Sequence, residues 1–249
     1  MPLNPEELKN KFKKLAKSDN YIDGIFNYCD RWCERCYMTS KCRSYAMETE
    51  NPVSKDPTNE EFWNHLHNVF EATRLLVEEG IKETGIDLSD LSDIEPEEEL
   101  DPYEHPLYRK AHNLAMLVTD WLDQKQEVLK NKAEIALSIN DEKGNLFVNA
   151  IEVIRWYNFF IAAKIFRALP HTESDRVEET SIYDSNGSAK IALISVDRSI
   201  AAWGLLLEHI PEEEDSILNF LRELSGIKLL TEKEFLDARK FIRPGFDEN

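Results

Sequence analysis

Glycine and proline are scarce in this sequence, with 8 Gly and 10 Pro among 249 residues. So few turn-forming residues exclude a turn-rich β architecture. No stretch alternates apolar and polar residues with a period of two for long enough to predict a sheet, and we find no internal repeat. What remains is helical periodicity, which predicts an all-α helical bundle with a cysteine-rich metal-binding module near its N-terminus.

Basic residues are outnumbered as well, by 48 Asp and Glu to 30 Lys and Arg, for a net charge of −18. Such a negative field repels phosphate backbones and anionic lipids. No run of Lys or Arg is interleaved with aromatic residues. We therefore expect a protein partner, and we expect neither a nucleic acid nor a membrane partner. No pattern indicates an oligomeric state.

A long uninterrupted apolar run is also lacking. The most apolar segment, Leu146–Leu169, contains Glu152, Arg155, Lys164 and Arg167, and charges near mid-span argue against an ordinary membrane helix. Its all-round apolar character instead predicts a central helix of the bundle. The first residues lack the charged and apolar regions of a signal peptide, so we expect a cytoplasmic protein.

Capping residues and prolines set the predicted helix boundaries. Residues 171–188 are polar and predict a loop, and Asp141–Gly144 predicts a turn. We expect an N-terminal helix and cysteine module over 1–56, and a bundle over 57–249 with an acidic linker at 85–105, as one continuous globular unit. The predicted helices are Asn4 to about Lys17, Thr58 (capping box with Glu61) to about Glu83, His105 to as far as Ile139, Leu146–Leu169, Ala189–His209, one from Pro211, and one from Thr231 to about Ile242.

All four cysteines fall in one short stretch, Cys29-Asp-Arg-Trp-Cys33-Glu-Arg-Cys36-Tyr-Met-Thr-Ser-Lys-Cys42. Scattered free thiols would not crowd in this way, whereas metal-binding thiolates must converge on one point, and short spacings cost little loop-closure entropy. Three residues separate Cys29 from Cys33, and this spacing is expected to place both cysteines on one helical face. We expect Trp32 and Tyr37 to shield the site.

The occupant predicted first is a [4Fe-4S] cluster, with zinc as the alternative and disulfides or free thiols last. Nothing marks the chain as secreted, which disfavours disulfides. Four basic residues lie near the cysteines and are expected to lower the thiol pKa and offset the thiolate charge. These residues are Arg31, Arg35, Lys41 and Arg43.

Part of the pattern resembles known iron–sulfur loops. The C-x2-C-x5-C spacing of Cys33, Cys36 and Cys42 is similar to the closing half of the cluster loop in helical base-excision DNA glycosylases, and to the cluster clasp of RecB-like nucleases. The longer string Asp-Arg-Trp-Cys-Glu-Arg-Cys is similar to sequences of uncharacterised bacterial helical proteins. These resemblances imply an iron–sulfur cluster on the cysteines and no particular activity.

A second candidate site lies on the central helix, where Arg155, Lys164 and Arg167 share one half of the surface with aromatic residues. Buried charges need a partner, so these cations could form an anion-binding pocket, or they could pair internally or extend to solvent at the bundle edge.

No catalytic motif accompanies either site: the sequence has no nucleophile elbow, phosphate loop, dinucleotide-binding glycine pattern or His-Glu-x-x-His. Whether the protein is an enzyme therefore stays open. The favoured hypothesis is a non-catalytic metal-binding protein with a protein-interaction role or a redox- or metal-sensing role. One alternative is an iron–sulfur enzyme or electron-transfer component with the anion pocket, and another is a helical adaptor with structural zinc.

Overall fold

The computed structural model of the chain describes residues 3–49, 56–85, 97–139 and 141–247. Over these residues the protein is all-α, as predicted, and has no strand beyond a single isolated bridge between Glu99 and Thr172. The α-helices of the described chain are α1 Pro5–Ala16, α2 Arg43–Thr49, α3 Glu60–Thr84, α4 Pro106–Gln124, α5 Gln126–Ile139, α6 Asp141–Ala168, α7 Glu179–His209 and α8 Glu214–Glu234.

The chain divides into two compact units. The N-terminal unit takes in the described residues of Met1–Pro96 and Pro244–Asn249, and the C-terminal unit is Glu97–Arg243. The sequence-based division placed α3 in the bundle, but α3 packs on α1 in the N-terminal unit. Much of the predicted acidic linker lies outside the described residues. From Glu97 onward it belongs to the C-terminal unit, where Pro102 is buried.

Helix α1 begins as its sequence predicts, at an Asn-Pro pair followed by acids. The Asn4 side chain accepts a hydrogen bond from the Glu7 N–H, and the Glu7 carboxylate accepts one from the Asn4 N–H, both at 3.0 Å. This capping box satisfies two amides that the helix itself leaves unpaired. The predicted capping box of α3 is wrong by one residue, because Asn59 caps the helix.

Helices α6 and α7 form the centre of the C-terminal unit, as predicted, and α4, α5 and α8 pack around them. Trp203 of α7 is buried between Trp121 and Phe220, with ring centres 5.3 and 4.8 Å away. Each of these large aromatic side chains removes extensive apolar surface from water, so their cluster is a major source of the stability of the unit. Helices α6 and α7 contain further fully buried side chains, among them Phe147, Ile154, Tyr157, Ile165, Ile191 and Leu193.

The predicted turn at Asp141–Gly144 is wrong, because these residues form the first turn of α6. A Cβ atom on Gly144 would lie 2.6 Å from the Leu137 backbone. Glycine is therefore required here by the close approach of α5 and α6 rather than by a turn. The predicted helix from His105 to Ile139 is broken at Lys125, which separates α4 from α5.

Two further boundaries differ from the prediction. Helix α7 begins at Glu179, so the second half of the predicted loop at 171–188 is helical. Helix α8 continues to Glu234, and the predicted N-cap Thr231 lies inside it, its hydroxyl donating to the Ile227 carbonyl at 2.8 Å. The last predicted helix is reduced to one short 3-10 turn, Ala238–Lys240.

Within the described chain, one helical stretch, Glu142–Ala168 of α6, has the length and apolar composition of a membrane span. The core helix of a soluble protein meets the same criteria, and α6 packs against α4, α5 and α7.

Candidate metal centre

All four cysteines line one pocket of the N-terminal unit, as the crowding of thiols in the sequence predicts. The cavity between them is small, about 20 Å³, and it is partly open to solvent. Each cysteine is partly buried. The cysteine pocket is lined by Ile25, Cys29, Asp30, Arg31, Trp32, Cys33, Cys36, Met38, Thr39, Cys42, Tyr45 and Phe246.

The segment between Cys29 and Cys33 is a turn, so the prediction that these residues share a helical face is wrong. Arg31 adopts φ 57°, the left-handed conformation that non-glycine residues rarely take. The Asp30 carboxylate accepts a hydrogen bond from the Trp32 N–H at 3.2 Å and closes this turn. Cys29 and Cys33, on either side of this left-handed residue, both line the pocket.

Backbone amides point at two of the sulfur atoms. The Met38 N–H donates to Cys36 Sγ at 3.4 Å, and the Tyr45 N–H donates to Cys42 Sγ at 3.5 Å. Between Cys36 and Cys42, the 3-10 turn Thr39–Lys41 folds the intervening residues back over the pocket. These two hydrogen bonds fix the orientation of the Cys36 and Cys42 sulfurs.

The basic residues of the module have several different partners. The guanidinium carbon of Arg35 lies 3.9 Å from the centre of the Trp32 ring, a cation–π contact against a wall of the pocket. Arg31 donates to Ser44 at 3.3 Å. Arg43 pairs with Asp23 at 2.9 Å and donates to the last carbonyl of α1, that of Ala16. Arg43 thereby ties the cysteine module to α1.

The pKa of the Cys33 thiol is raised above its ordinary value, against the prediction that nearby cations lower it. Burial is the main cause, and the negative charges of Glu48, Cys29, Cys42 and Cys36 add to it. The three other cysteines therefore lie near enough to Cys33 to act on its thiol.

Only one of the two aromatic residues that were predicted to shield the site lines the pocket. Trp32 lines the pocket, but Tyr37 is 73% exposed and lies outside it. Its neighbours Cys36 and Met38 both face the pocket, so the residue between them is directed away. Phe246 forms part of the wall instead. No sequence pattern points to this residue, because it lies far along the chain from the cysteines.

The sulfurs share a pocket without forming the coordination sphere of a single ion. Among the residues with described positions, no three side chains of His, Cys, Asp or Glu form a group that could hold a metal ion. Metal binding therefore stays a prediction that rests on the shared pocket and its donors.

The predicted anion pocket on α6 is not formed by all three of its cations. Arg155 and Lys164 are nine residues apart and lie on opposite sides of the helix. Arg155 is exposed. Lys164 is only 8% exposed, with its ammonium 5.4 Å from the centre of the Phe160 ring. These two side chains cannot face one cavity.

Arg167 lies at the edge of a polar pocket of the C-terminal unit, next to His171 and Ser181. It makes two hydrogen bonds to the Asp184 carboxylate, at 2.7 and 3.2 Å. An anionic ligand would have to displace this carboxylate. Lys164 does not line this pocket. The anion site therefore stays a prediction.

Comparison with family models, with curated proteins and with solved structures gave no significant match to this chain.

Proposed function

We propose that Cys29, Cys33, Cys36 and Cys42 hold one metal centre, a [4Fe-4S] cluster, with zinc as the alternative, in a non-catalytic helical protein that senses redox or metal state or binds a protein partner. The observation that carries this proposal is the pocket that all four cysteine side chains line together.

The donor set fits such a centre. Thiolates are the ligands common to iron–sulfur clusters and structural zinc, and four of them satisfy either one. The amide hydrogen bonds to Cys36 and Cys42 supply the outer-shell contacts that orient and stabilise ligating thiolates. Trp32, Met38 and Phe246 provide apolar walls that limit the access of water.

A cluster and a single ion differ in how far apart they hold their sulfurs. Tetrahedral zinc holds its sulfurs at ~2.3 Å, so they lie within about 3.8 Å of one another. Thiolates on the corners of a four-iron cluster lie farther apart. The cluster is proposed first because the spacing of Cys33, Cys36 and Cys42 resembles that of known iron–sulfur loops.

A sensing or interaction role agrees with the exposure of the site. All four cysteines are partly solvent-accessible, so small oxidants and metal ions can reach them. An iron–sulfur cluster supplies reversible one-electron chemistry when bound. The absence of catalytic motifs from the sequence favours this role over an iron–sulfur enzyme or electron-transfer component.

The colour of protein purified without oxygen tests the proposal. We expect a brown protein with absorption near ~400 nm. A colourless protein with one zinc per chain would favour the zinc alternative. A colourless protein that contains no metal, even after incubation with iron and sulfide, would overturn the proposal.

A further inference from the structure

The cysteine pocket is completed by a residue from a distant part of the sequence. Phe246 is one of its walls, and residues 244–247 belong to the N-terminal unit although the chain before them, up to Arg243, belongs to the C-terminal unit. We infer that this 244–247 segment is a strap that closes the cysteine pocket and controls access to its thiols. The consequence for metal retention rests on the proposed function, whereas the consequence for the thiols does not.

Gly245 allows the strap to pack closely against the cysteine module. It adopts φ +74°, a conformation that residues with a side chain rarely take. A Cβ atom at this position would lie 2.8 Å from Ile22 Cδ1, 3.0 Å from Ile25 Cδ1 and 3.1 Å from Met38 Cε. Two of these neighbours, Ile25 and Met38, also line the cysteine pocket. The segment therefore lies directly on the pocket wall, at a distance that only glycine permits.

Phe246 is held at this position by a second contact. Its ring meets that of Tyr37 edge to face, with centres 5.9 Å apart, so the segment is also held on the outer side of the cysteine turn. Tyr37 is exposed and lies outside the pocket, so its role in this arrangement is to position Phe246. This contact explains an aromatic residue next to Cys36 that does not itself shield the sulfurs.

Whether the cysteine pocket is covered therefore depends on whether the 244–247 segment is docked. When the segment is docked, Phe246 forms one wall of the pocket and limits the access of solvent, oxidants and chelators to the partly exposed thiols. When it is released, one wall of the pocket is lost. Because the docked segment and a bound metal centre stabilise the same arrangement, each should strengthen the other by thermodynamic linkage. Loss of metal should therefore release the strap more easily.

The first experiment uses the metal-free, reduced full chain and does not depend on the metal proposal. The alkylation rate of each cysteine by iodoacetamide is followed by mass spectrometry in the wild type, Phe246→Ala, Gly245→Ala and Ile242→Ala. Ile242 is 60% exposed and does not line the pocket, so it is the matched control. We expect alkylation to be about threefold faster or more in the two strap variants, since thiol reactivity follows accessibility, and unchanged in the control.

Unchanged alkylation rates in both strap variants would overturn the strap. Phe246→Leu keeps an apolar wall and should stay near the wild-type rate, which separates loss of cover from unfolding of the module. A Phe246→Leu variant that reacts as fast as Phe246→Ala would also count against the strap.

The second experiment applies to protein that contains its metal. We expect Phe246→Ala to lose the centre to a chelator about threefold faster or more than the wild type and Ile242→Ala, as the coupling predicts. Equal rates of loss would contradict the coupling while leaving metal binding intact. Wild-type protein that never takes up metal would contradict the proposed function and leave the alkylation result to decide on the strap.

Discussion

The backbone N–H of Met38 donates a hydrogen bond to the sulfur of Cys36, with 3.4 Å between the two atoms. This hydrogen bond fixes the direction of the Cys36 sulfur within the turn. The Tyr45 N–H does the same for Cys42 at 3.5 Å. The backbone of the module therefore orients two of the four sulfurs that a metal centre would need.

The first prediction concerns Cys42, which the 3-10 turn Thr39–Lys41 brings back to the pocket. Cys42→Ser should release the metal and loosen the N-terminal unit, because metal binding and local folding are coupled. Amide hydrogen exchange should show faster opening in the N-terminal unit and no change in the core of Glu97–Arg243. Thr39→Ser, a small change in the same pocket, is the control and should retain metal. Full metal content in Cys42→Ser would show that the fourth ligand lies elsewhere.

The second prediction tests the left-handed residue of the cysteine turn. Arg31→Asn and Arg31→Val both remove the guanidinium, but Asn tolerates φ 57° far better than a β-branched residue does. We expect the Val variant to be less stable than the Asn variant by about 1–2 kcal/mol in the N-terminal unit, the usual cost of a left-handed conformation. Hydrogen exchange of the amides around the turn measures this difference. Equal stability of the two variants would mean that the turn does not need this conformation.

The third prediction concerns the close approach of α5 and α6. Gly144→Ala should destabilise the C-terminal unit by about 1–3 kcal/mol, the usual cost of overpacking, because its Cβ would meet the Leu137 backbone at 2.6 Å. Gly204→Ala is the matched control in helix α7, since no atom lies within 4 Å of a Cβ there. It should stabilise the unit by about 0.5–1 kcal/mol through helix propensity. Urea denaturation of both variants gives the comparison, and a stabilising Gly144→Ala would contradict the packing described.

The fourth prediction is a pH dependence. Burial raises the pKa of the Asp197 carboxyl, but hydrogen bonds and charge from Arg239 and Lys228, each at 2.8 Å, outweigh it and hold the pKa below its ordinary value. The stability from this group is therefore present above the unfolded pKa of ~3.9 and is lost as the pH falls through the folded pKa.

Asp197→Asn should lower the free energy of unfolding by roughly 1 kcal/mol at neutral pH, as for a partly exposed ion-pair network, and should make its decline in acid less steep. Asp237→Asn, which affects an exposed pair with Lys240, is the control and should change little. A variant that declines in acid as steeply as the wild type would contradict the assignment to Asp197.

Local signals in the sequence were enough to predict several elements. Asn4 and Pro5 start α1, and Pro170 follows soon after the end of α6, because capping and the missing proline N–H act within one helical turn. The start of α7 at Glu179 could not be predicted, since its first turns are rich in polar residues that are also common in loops. The break at Lys125 has neither glycine nor proline to mark it. In both cases tertiary packing determines the boundary.

The candidate site, like the fold, has features that could be predicted from the sequence and features that could not. The shared pocket of the four cysteines could be predicted from their spacing, because residues close in sequence come together at little cost in loop-closure entropy. Phe246 could not be identified, since its position depends on the path of the whole chain and no short motif contains it. Tyr37 was predicted as a shield because it is adjacent to Cys36, but its side chain is exposed and contacts the ring of Phe246 instead.

X-ray absorption spectroscopy of anaerobically purified protein, at the iron and zinc edges, tests the central claim most directly. The account predicts iron in an environment of sulfur with iron–iron scattering, which only a cluster produces, and the loss of this signal in Cys42→Ser. Zinc surrounded by four sulfurs at ~2.3 Å would contradict the cluster and identify the alternative centre. Protein that contains neither metal, after incubation with iron and sulfide or with zinc, would contradict a metal centre at these cysteines altogether.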